Sequence, residues 1–232
     1  MPKQEKIYLS TLSEISKAIT SDLYLEDLLK LIVTLTANVM GAKICALWLL
    51  DEKDNCLKIR ATQAMSQDYL TERSIRYGEG IVGTVAKEKK PIFIQNVLDD
   101  QRYVEKKLAQ KEGFVAMLSV PMLVKDKTIG VVNVYTIKKY EFTKSDIYLL
   151  STVANQAAVA IENTELIVKT KVIQEELETR KKVEKAKGIL MKQRKMTEDE
   201  AYQLMRRSSM DKRVSMKDIA EAIILSNEIS GI

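Results

Sequence analysis

Arg206 and Arg207 stand side by side in a stretch, residues 180–217, that carries 13 basic against 5 acidic side chains. Residues 1–179 hold 24 of each sign, so the whole net charge of +5 comes from the end of the chain. Clustered lysine and arginine attract polyanions, because each phosphate contact releases condensed counterions. Arginine adds a planar fork that pairs with phosphate or guanine through two atoms and stacks on an unpaired base. The same charge also suits a solvated helix face, so charge alone leaves both readings open. Arg194, Lys195, Lys212 and Arg213 fall in turns at helix ends, which suit backbone contacts. Lys187 and Lys192 lie five residues apart and do not share one narrow stripe. Gly188 interrupts a helical pattern, where glycine costs about 1 kcal/mol relative to alanine. Its functional reading is a close backbone approach, to a ligand or to a crossing helix. Tyr202 offers a ring for stacking on a base or for packing.

Other chemistry is excluded by composition. The chain has no histidine, which removes histidine-based nucleophilic pairs, histidine-ligated metals and the usual general base near neutral pH. Its two cysteines, Cys45 and Cys56, do not form a C-x-x-C pair and are too few for a cysteine-rich metal site. They are expected to be free thiols, buried or half-buried. At 46% hydrophobic and 30% charged residues, the chain can bury a core and is not disordered. No apolar run approaches the roughly 20 residues a membrane span needs, and Met1–Ile15 lacks a signal-peptide core. The expectation is a cytoplasmic protein with no membrane partner and no cofactor.

The elements that must position these residues follow from periodicity and punctuation. All three prolines lie at or before Pro121, and Gly188 is the one glycine between Gly130 and Gly231. The last hundred residues are therefore predicted to be almost entirely helical. Ile7–Ile19 and Leu25–Met40 read as helices, the second ended by Gly41. Lys43–Leu50 and Cys56–Ala61 read as strands joined by a polar turn, with Ile44, Ala46 and Trp48 alternating against Cys45 and Leu47. A short helix is predicted at Ser66–Arg73, a tight turn at Tyr77–Gly80, a short helix at Ile81–Lys87, an extended piece at Pro91–Gln95 and a helix at Asp99–Gln110. Val115–Val124 and Thr128–Ile137 form a hairpin across Lys125–Lys127.

Thr143-x-x-Asp146 has the pattern of a capping box. From it a helix runs to about Gln193, some 50 residues or about 75 Å, long enough for a coiled-coil stalk. Leu150, Ala154, Ala157, Ile161, Thr164 and Val168 form one seam, and Val153, Ala160, Ile167 and Leu177 a second. Two seams suit a helix that touches its own domain and a partner chain. Thr197-x-x-Glu200 and Ser215-x-x-Asp218 open two more helices. Val183, Ala186 and Leu190 are expected to form a small three-helix core with Ala201, Leu204, Met205 and Ser208 and with Met216, Ile219, Ala220, Ile223 and Asn227.

Several of these blocks resemble known families. Glu184-Lys-Ala-Lys-Gly-Ile-Leu-Met191, Thr197-Glu-Asp-Glu-Ala-Tyr202, Met205-Arg-Arg207 and Ser215-x-x-Asp-Ile-Ala220 resemble, in order and spacing, the ANTAR domain. Two stretches differ from that pattern: the turn Gln193–Met196 is more basic than in relatives, and Ser208-Ser209 stands where an alanine-containing pair is common. The first part resembles a GAF domain through Gly78-Glu-Gly-Ile-x-Gly83, Ser119-Val-Pro-Met122, Ile129-Gly-Val131 and Phe142-Thr-x-x-Asp146.

The resemblance implies an α+β chain. Residues 1–165 would be a GAF sensor domain with an antiparallel sheet flanked by helices, 166–180 a helical coiled-coil linker and 181–232 an all-α three-helix ANTAR module. It implies a bacterial antitermination regulator that binds paired hairpins in nascent mRNA, acts as a homodimer through the long helix, and is not an enzyme. RNA contacts are then expected from Lys187, Gly188, Lys192, Arg194, Lys195, Tyr202, Arg206, Arg207, Lys212 and Arg213, with Arg206 matching the family's recurring arginine. A GAF pocket for an unknown small molecule or signalling partner would be lined by Phe93, Asn96, Tyr103, Phe114, Met117 and Ser119. The rival readings are a DNA-binding regulator, disfavoured by a long basic turn at Met210–Val214, and a small-molecule enzyme, for which the sequence offers no nucleophile–base pair.

Overall fold

The computed structural model describes residues 3–21, 23–63 and 73–230. The predicted helix at Ser66–Arg73 falls outside the described residues apart from Arg73. The chain divides into two compact units, Met1–Thr164 and Glu165–Ile232.

The first unit is built on a hairpin. Strands β5 (Ala116–Val124) and β6 (Lys127–Thr136) pair antiparallel from Ala116 opposite Thr136 to Val124 opposite Lys127. The loop is only Lys125-Asp126, and both residues have positive φ (46° and 64°), as a two-residue primed turn requires. The sequence reading placed Lys127 in the loop because the usual Asn-Gly or Asp-Gly signal is missing. Strands β1 (Ile44–Asp51), β2 (Cys56–Thr62), β3 (Ser74–Arg76) and β4 (Ile92–Ile94) complete a six-stranded sheet of order β3-β2-β1-β6-β5-β4. Among its described pairs every one is antiparallel. Three-residue β3 is too short to show a period and was not anticipated.

Alternation sends side chains to two cores. One face carries Cys45, Leu47, Leu118, Val120 and Val132 against α1 (Lys3–Ile19), α2 (Leu25–Met40) and the first turns of α5 (Lys144–Arg194). The other carries Ala46, Trp48, Met117, Val131 and Tyr135 against α3 (Gly80–Glu88) and α4 (Lys106–Glu112). Where β6 crosses β1, a Cβ on Gly130 would collide with the Trp48 carbonyl oxygen. Gly78 (φ 86°) and Gly80 (φ 60°) make the left-handed turn that opens α3.

Helix α4 begins at Lys106 rather than near Asp99. Local side-chain bonds hold the intervening residues in turns: Asn96 Oδ1 accepts from the Leu98 amide at 3.2 Å, and Asp100 Oδ1 from the Arg102 amide at 2.8 Å. Such bonds compete with the helical ladder.

Thr143 and Asp146 form the anticipated capping box at the start of α5. The threonine oxygen accepts the Asp146 amide at 3.2 Å and the carboxylate accepts the Thr143 amide at 2.8 Å. Leu150, Val153, Ala154, Ala157, Ala160 and Ile161 are buried in the first unit. Residues 165–178 are then exposed on every side, including Leu166, Ile173 and Leu177. Both apolar seams are thus covered as far as Ile161 and open after Thr164.

The second unit packs α5, from Val183 onward, with α6 (Glu198–Lys212) and α7 (Met216–Ser230). Its core is Ala186, Leu190, Ala201, Met205, Ile219 and Ala220, edged by Val183, Leu204, Met216 and Ile223. Both anticipated capping boxes are present. Thr197 Oγ1 accepts the Glu200 amide at 3.3 Å, and Ser215 Oγ accepts the Asp218 amide at 3.1 Å. Helix α6 runs through Lys212, so the link to α7 is short, with Arg213 as a left-handed cap (φ 54°). This corrects the expected long turn at Met210–Val214.

Candidate nucleic-acid interface

Ion pairs set some basic side chains of the second unit apart from most of those expected to touch RNA. Lys182 bridges to Glu221 at 2.7 Å and Lys185 to Glu228 at 3.1 Å, tying α5 to α7. Lys187 bridges to Glu198 on α6 at 2.6 Å and to Glu184 at 2.9 Å, with its side chain 9% exposed. Hydrogen bonds to Glu198 and then Glu184 hold its ammonium above the ordinary lysine range, and Glu198 is lowered in return, first by its bond to Lys187. Lys187 is thus a strut between two helices. The second set is Lys192, Arg194, Lys195, Arg206, Arg207, Lys212 and Arg213. All seven are exposed, and none forms an ion pair among the described residues.

Helical spacing sorts this second set by direction. On α6 the inward positions are Ala201, Leu204, Met205 and Ser208, while Tyr202 and Arg206, one turn apart, lie on the opposite face. Met210 continues that stripe and is 69% exposed. It was not singled out in the sequence, although its i+4 spacing from Arg206 was a usable signal. On α5, Gly188 and Lys192 are one turn apart on the side away from the core. A Cβ on Gly188 would meet nothing within 4 Å, so among the described residues no crossing helix of this chain requires the glycine. Arg194 ends α5, Lys195 follows it with φ 54°, and Lys212 and Arg213 end α6.

The residues expected to line a pocket in the first unit separate as well. Tyr103, Phe114, Met117 and Ser119 are buried. Phe114 stacks on Tyr135 with ring centres 4.6 Å apart, and Tyr103 meets Tyr135 edge-on at 6.5 Å. With the Asn133 amide turned to suit both neighbours, its Nδ2 donates to Ser119 Oγ at 2.7 Å and its Oδ1 accepts from Trp48 Nε1 at 3.1 Å. Burial pushes the Tyr103 hydroxyl up, so it stays protonated. Asn96 is half-buried and donates to Asp99 at 2.7 Å. Phe93 pairs with Leu118, which faces the other core, so Phe93 lies on the opposite side of the sheet from Met117 and is 49% exposed. Sequence reasoning missed Arg73, which pairs with Glu105 at 2.5 Å and lies 5.4 Å from the Trp48 ring. An arginine outside any periodic run carries no signal of burial. Cys45 and Cys56 are buried free thiols, and burial pushes Cys45 up, away from the reactive thiolate. Among the described residues no group of acids and cysteines is arranged to hold a metal, and no helix is long and apolar enough to cross a membrane.

The comparisons with known proteins follow the same division. Residues 23–162 match the GAF domain and residues 171–224 the ANTAR domain. Over 161 residues the chain is 26% identical to the phosphoenolpyruvate-dependent phosphotransferase system protein of Escherichia coli, covering 68% of this chain and 21% of that protein. Over 52 residues it is 46% identical to the transcriptional regulatory protein PdtaR of Mycobacterium tuberculosis, covering 22% of this chain and 25% of that protein. The chain thus spans about a fifth to a quarter of these curated relatives. The solved GAF domain of a Coxiella burnetii phosphoenolpyruvate-protein phosphotransferase superposes with a TM-score of 0.65 at 20% identity, covering 70% of this chain and 96% of that one. That likeness shows the fold.

A curled antiparallel sheet between helices, followed in sequence by a capped three-helix unit, is the architecture of a GAF module joined to an ANTAR module. The chain belongs to the GAF domain family and carries an ANTAR domain after it.

Proposed function

We propose that the second unit binds RNA, as paired hairpins in an mRNA leader, and that the protein regulates transcription by antitermination. The observation that carries this reading is that seven of the cations expected to touch RNA are exposed and in no ion pair among the described residues, beside lysines already neutralised by glutamates. Unpaired cations are free to replace counterions on a phosphate backbone. Tyr202 and Arg206 together offer a ring and a guanidinium for unpaired bases. The short link between α6 and α7 also suits a helix-turn-helix reader of DNA, so the test carries a duplex arm. Wild type and Arg206→Ala are titrated with two-hairpin RNA and with duplex DNA at one salt concentration. Tight RNA binding that Arg206→Ala weakens about 10–100-fold, without matching DNA affinity, supports the reading. A preference for duplex DNA would overturn it.

The same proposal includes a homodimer through α5. Val159, Leu166, Ile173 and Leu177 follow one another at intervals of seven, seven and four, and all are exposed, a spacing that recurs on one helix face. In a parallel, in-register pair, Glu176 lies opposite Lys181 of the second copy in both directions. Two RNA modules held together gain effective concentration on paired hairpins. A ligand or partner at the GAF domain would act by favouring one packing of α5 over another. A ligand that raises the GAF melting temperature yet leaves RNA affinity unchanged would sink that last step.

A further inference from the structure

The end of the three-helix core is open. A cleft of about 280 Å³ lies between the last turn of α5, the second half of α6 and the middle of α7. Its floor is apolar, formed by Leu190, Leu204, Met205, Ile219 and Ile223. Gln193, Ser208 and Ser226 line its wall, and Gln193 Nε2 is already turned to donate to Asn227 Oδ1 at 2.8 Å. The charged residues lining it are Arg194 and Lys212, both basic, both exposed and neither in an ion pair. The cleft thus joins an apolar floor to polar and basic walls, and it lies just below the usual size range of small-ligand sites.

The other groove of the unit makes the contrast. It is larger, about 590 Å³, and carries Asp218, Glu221 and Glu228 against Lys182 and Lys185. Its lysines are already paired, and its carboxylates would repel a phosphate backbone. The smaller cleft therefore suits an anionic ligand with a flat apolar part, and the larger groove does not.

We propose that the Arg194–Lys212 cleft receives one unpaired base from an RNA hairpin loop. The base lies on the apolar floor, its edge meets Gln193 and Ser208, and its flanking phosphates meet Arg194 and Lys212. This rests on the RNA-binding reading above and locates the sequence-reading part of it. Tyr202 and Arg206 lie on the opposite face of α6, so the cleft is a separate contact from theirs. Single-stranded loops present such bases because they are not held in a duplex stack.

The test uses the full chain and a two-hairpin RNA selected by the wild-type protein from a loop-randomised pool. Each loop position is replaced in turn by an abasic nucleotide. The expected result is one position whose loss weakens binding at least tenfold. Ser208→Phe fills the cleft without altering charge, and should weaken the intact RNA by a similar factor while making the abasic change harmless. Circular dichroism and the melting temperature check that this variant folds. The abasic series on wild type needs no variant, and indifference at every position overturns the proposal. So does wild-type affinity in folded Ser208→Phe. A pool that yields no binder ends the RNA reading itself, whereas a selected RNA indifferent to the cleft ends this proposal alone.

Discussion

Tyr8 and Asp146 are 138 residues apart in sequence, and the tyrosine hydroxyl donates to the aspartate at 2.7 Å. The same carboxylate accepts from the Tyr140 hydroxyl at 3.1 Å and from the amide and hydroxyl of Thr143, both at 2.8 Å. One buried acid therefore joins α1, the segment before α5 and the first turn of α5. Burial alone would raise its pKa, but the hydrogen bonds from Tyr8, Thr143 and Tyr140 outweigh it and hold the carboxyl below the usual range.

Asp146→Ala should lower the stability of the GAF unit by about 2–4 kcal/mol, read from urea unfolding. A carboxyl lowered in the folded state adds stability that is present above its unfolded pKa of about 3.9 and is lost as pH falls through the folded value. Asp146→Asn should remove that part of the acid sensitivity below about pH 4. An unchanged acid profile in the asparagine variant would show that Asp146 does not carry it.

Gly130→Ala tests the crossing of β6 over β1. The new methyl group would collide with the Trp48 carbonyl and crowd the Met122 side chain. Because one obstacle is backbone, the strands must part, and a loss of about 3 kcal/mol or more is expected. A melting temperature within a few degrees of wild type would mean that the ladder gives more easily than its geometry implies.

The two sets of cations make opposite predictions for salt dependence. If Lys192 meets phosphate, Lys192→Met should reduce the slope of log affinity against log salt by about one. Lys182→Met should leave the slope unchanged, since that ammonium already faces Glu221. Equal slopes for both variants would dissolve the distinction.

Ile173→Glu places a charge on the exposed seam of α5, far from either core. Sedimentation equilibrium should show at least a tenfold weaker dimer, with unchanged melting of the GAF core. A variant that self-associates like wild type would move the dimer contact elsewhere.

Much of this architecture could be read from the sequence because its signals are local. Three Ser/Thr-x-x-Asp/Glu boxes mark the starts of α5, α6 and α7, and each is present as drawn. Alternation placed Trp48 and Leu47 on opposite faces correctly. The misses have physical reasons too. Asp99–Tyr103 has helical composition, but Asn96 and Asp100 bind nearby amides instead. Phe93 looks like a core aromatic until its pairing with Leu118 fixes which face it takes. Lys187 shows the limit most clearly. Its spacing from Val183 and Leu190 puts it on the core stripe, unlike Lys192, but its partner Glu198 lies on the next helix, where no pattern within α5 could show it.

Residues 165–178 hold their helical form without a covering layer on any side. A free helix of that length is barely stable in water, so in a lone chain its amide protons should exchange with solvent almost as fast as those of a frayed peptide. Deuterium uptake over this segment would therefore act as a gauge of whatever grips it, slowing when a second helix closes on Ile173 and quickening when it leaves.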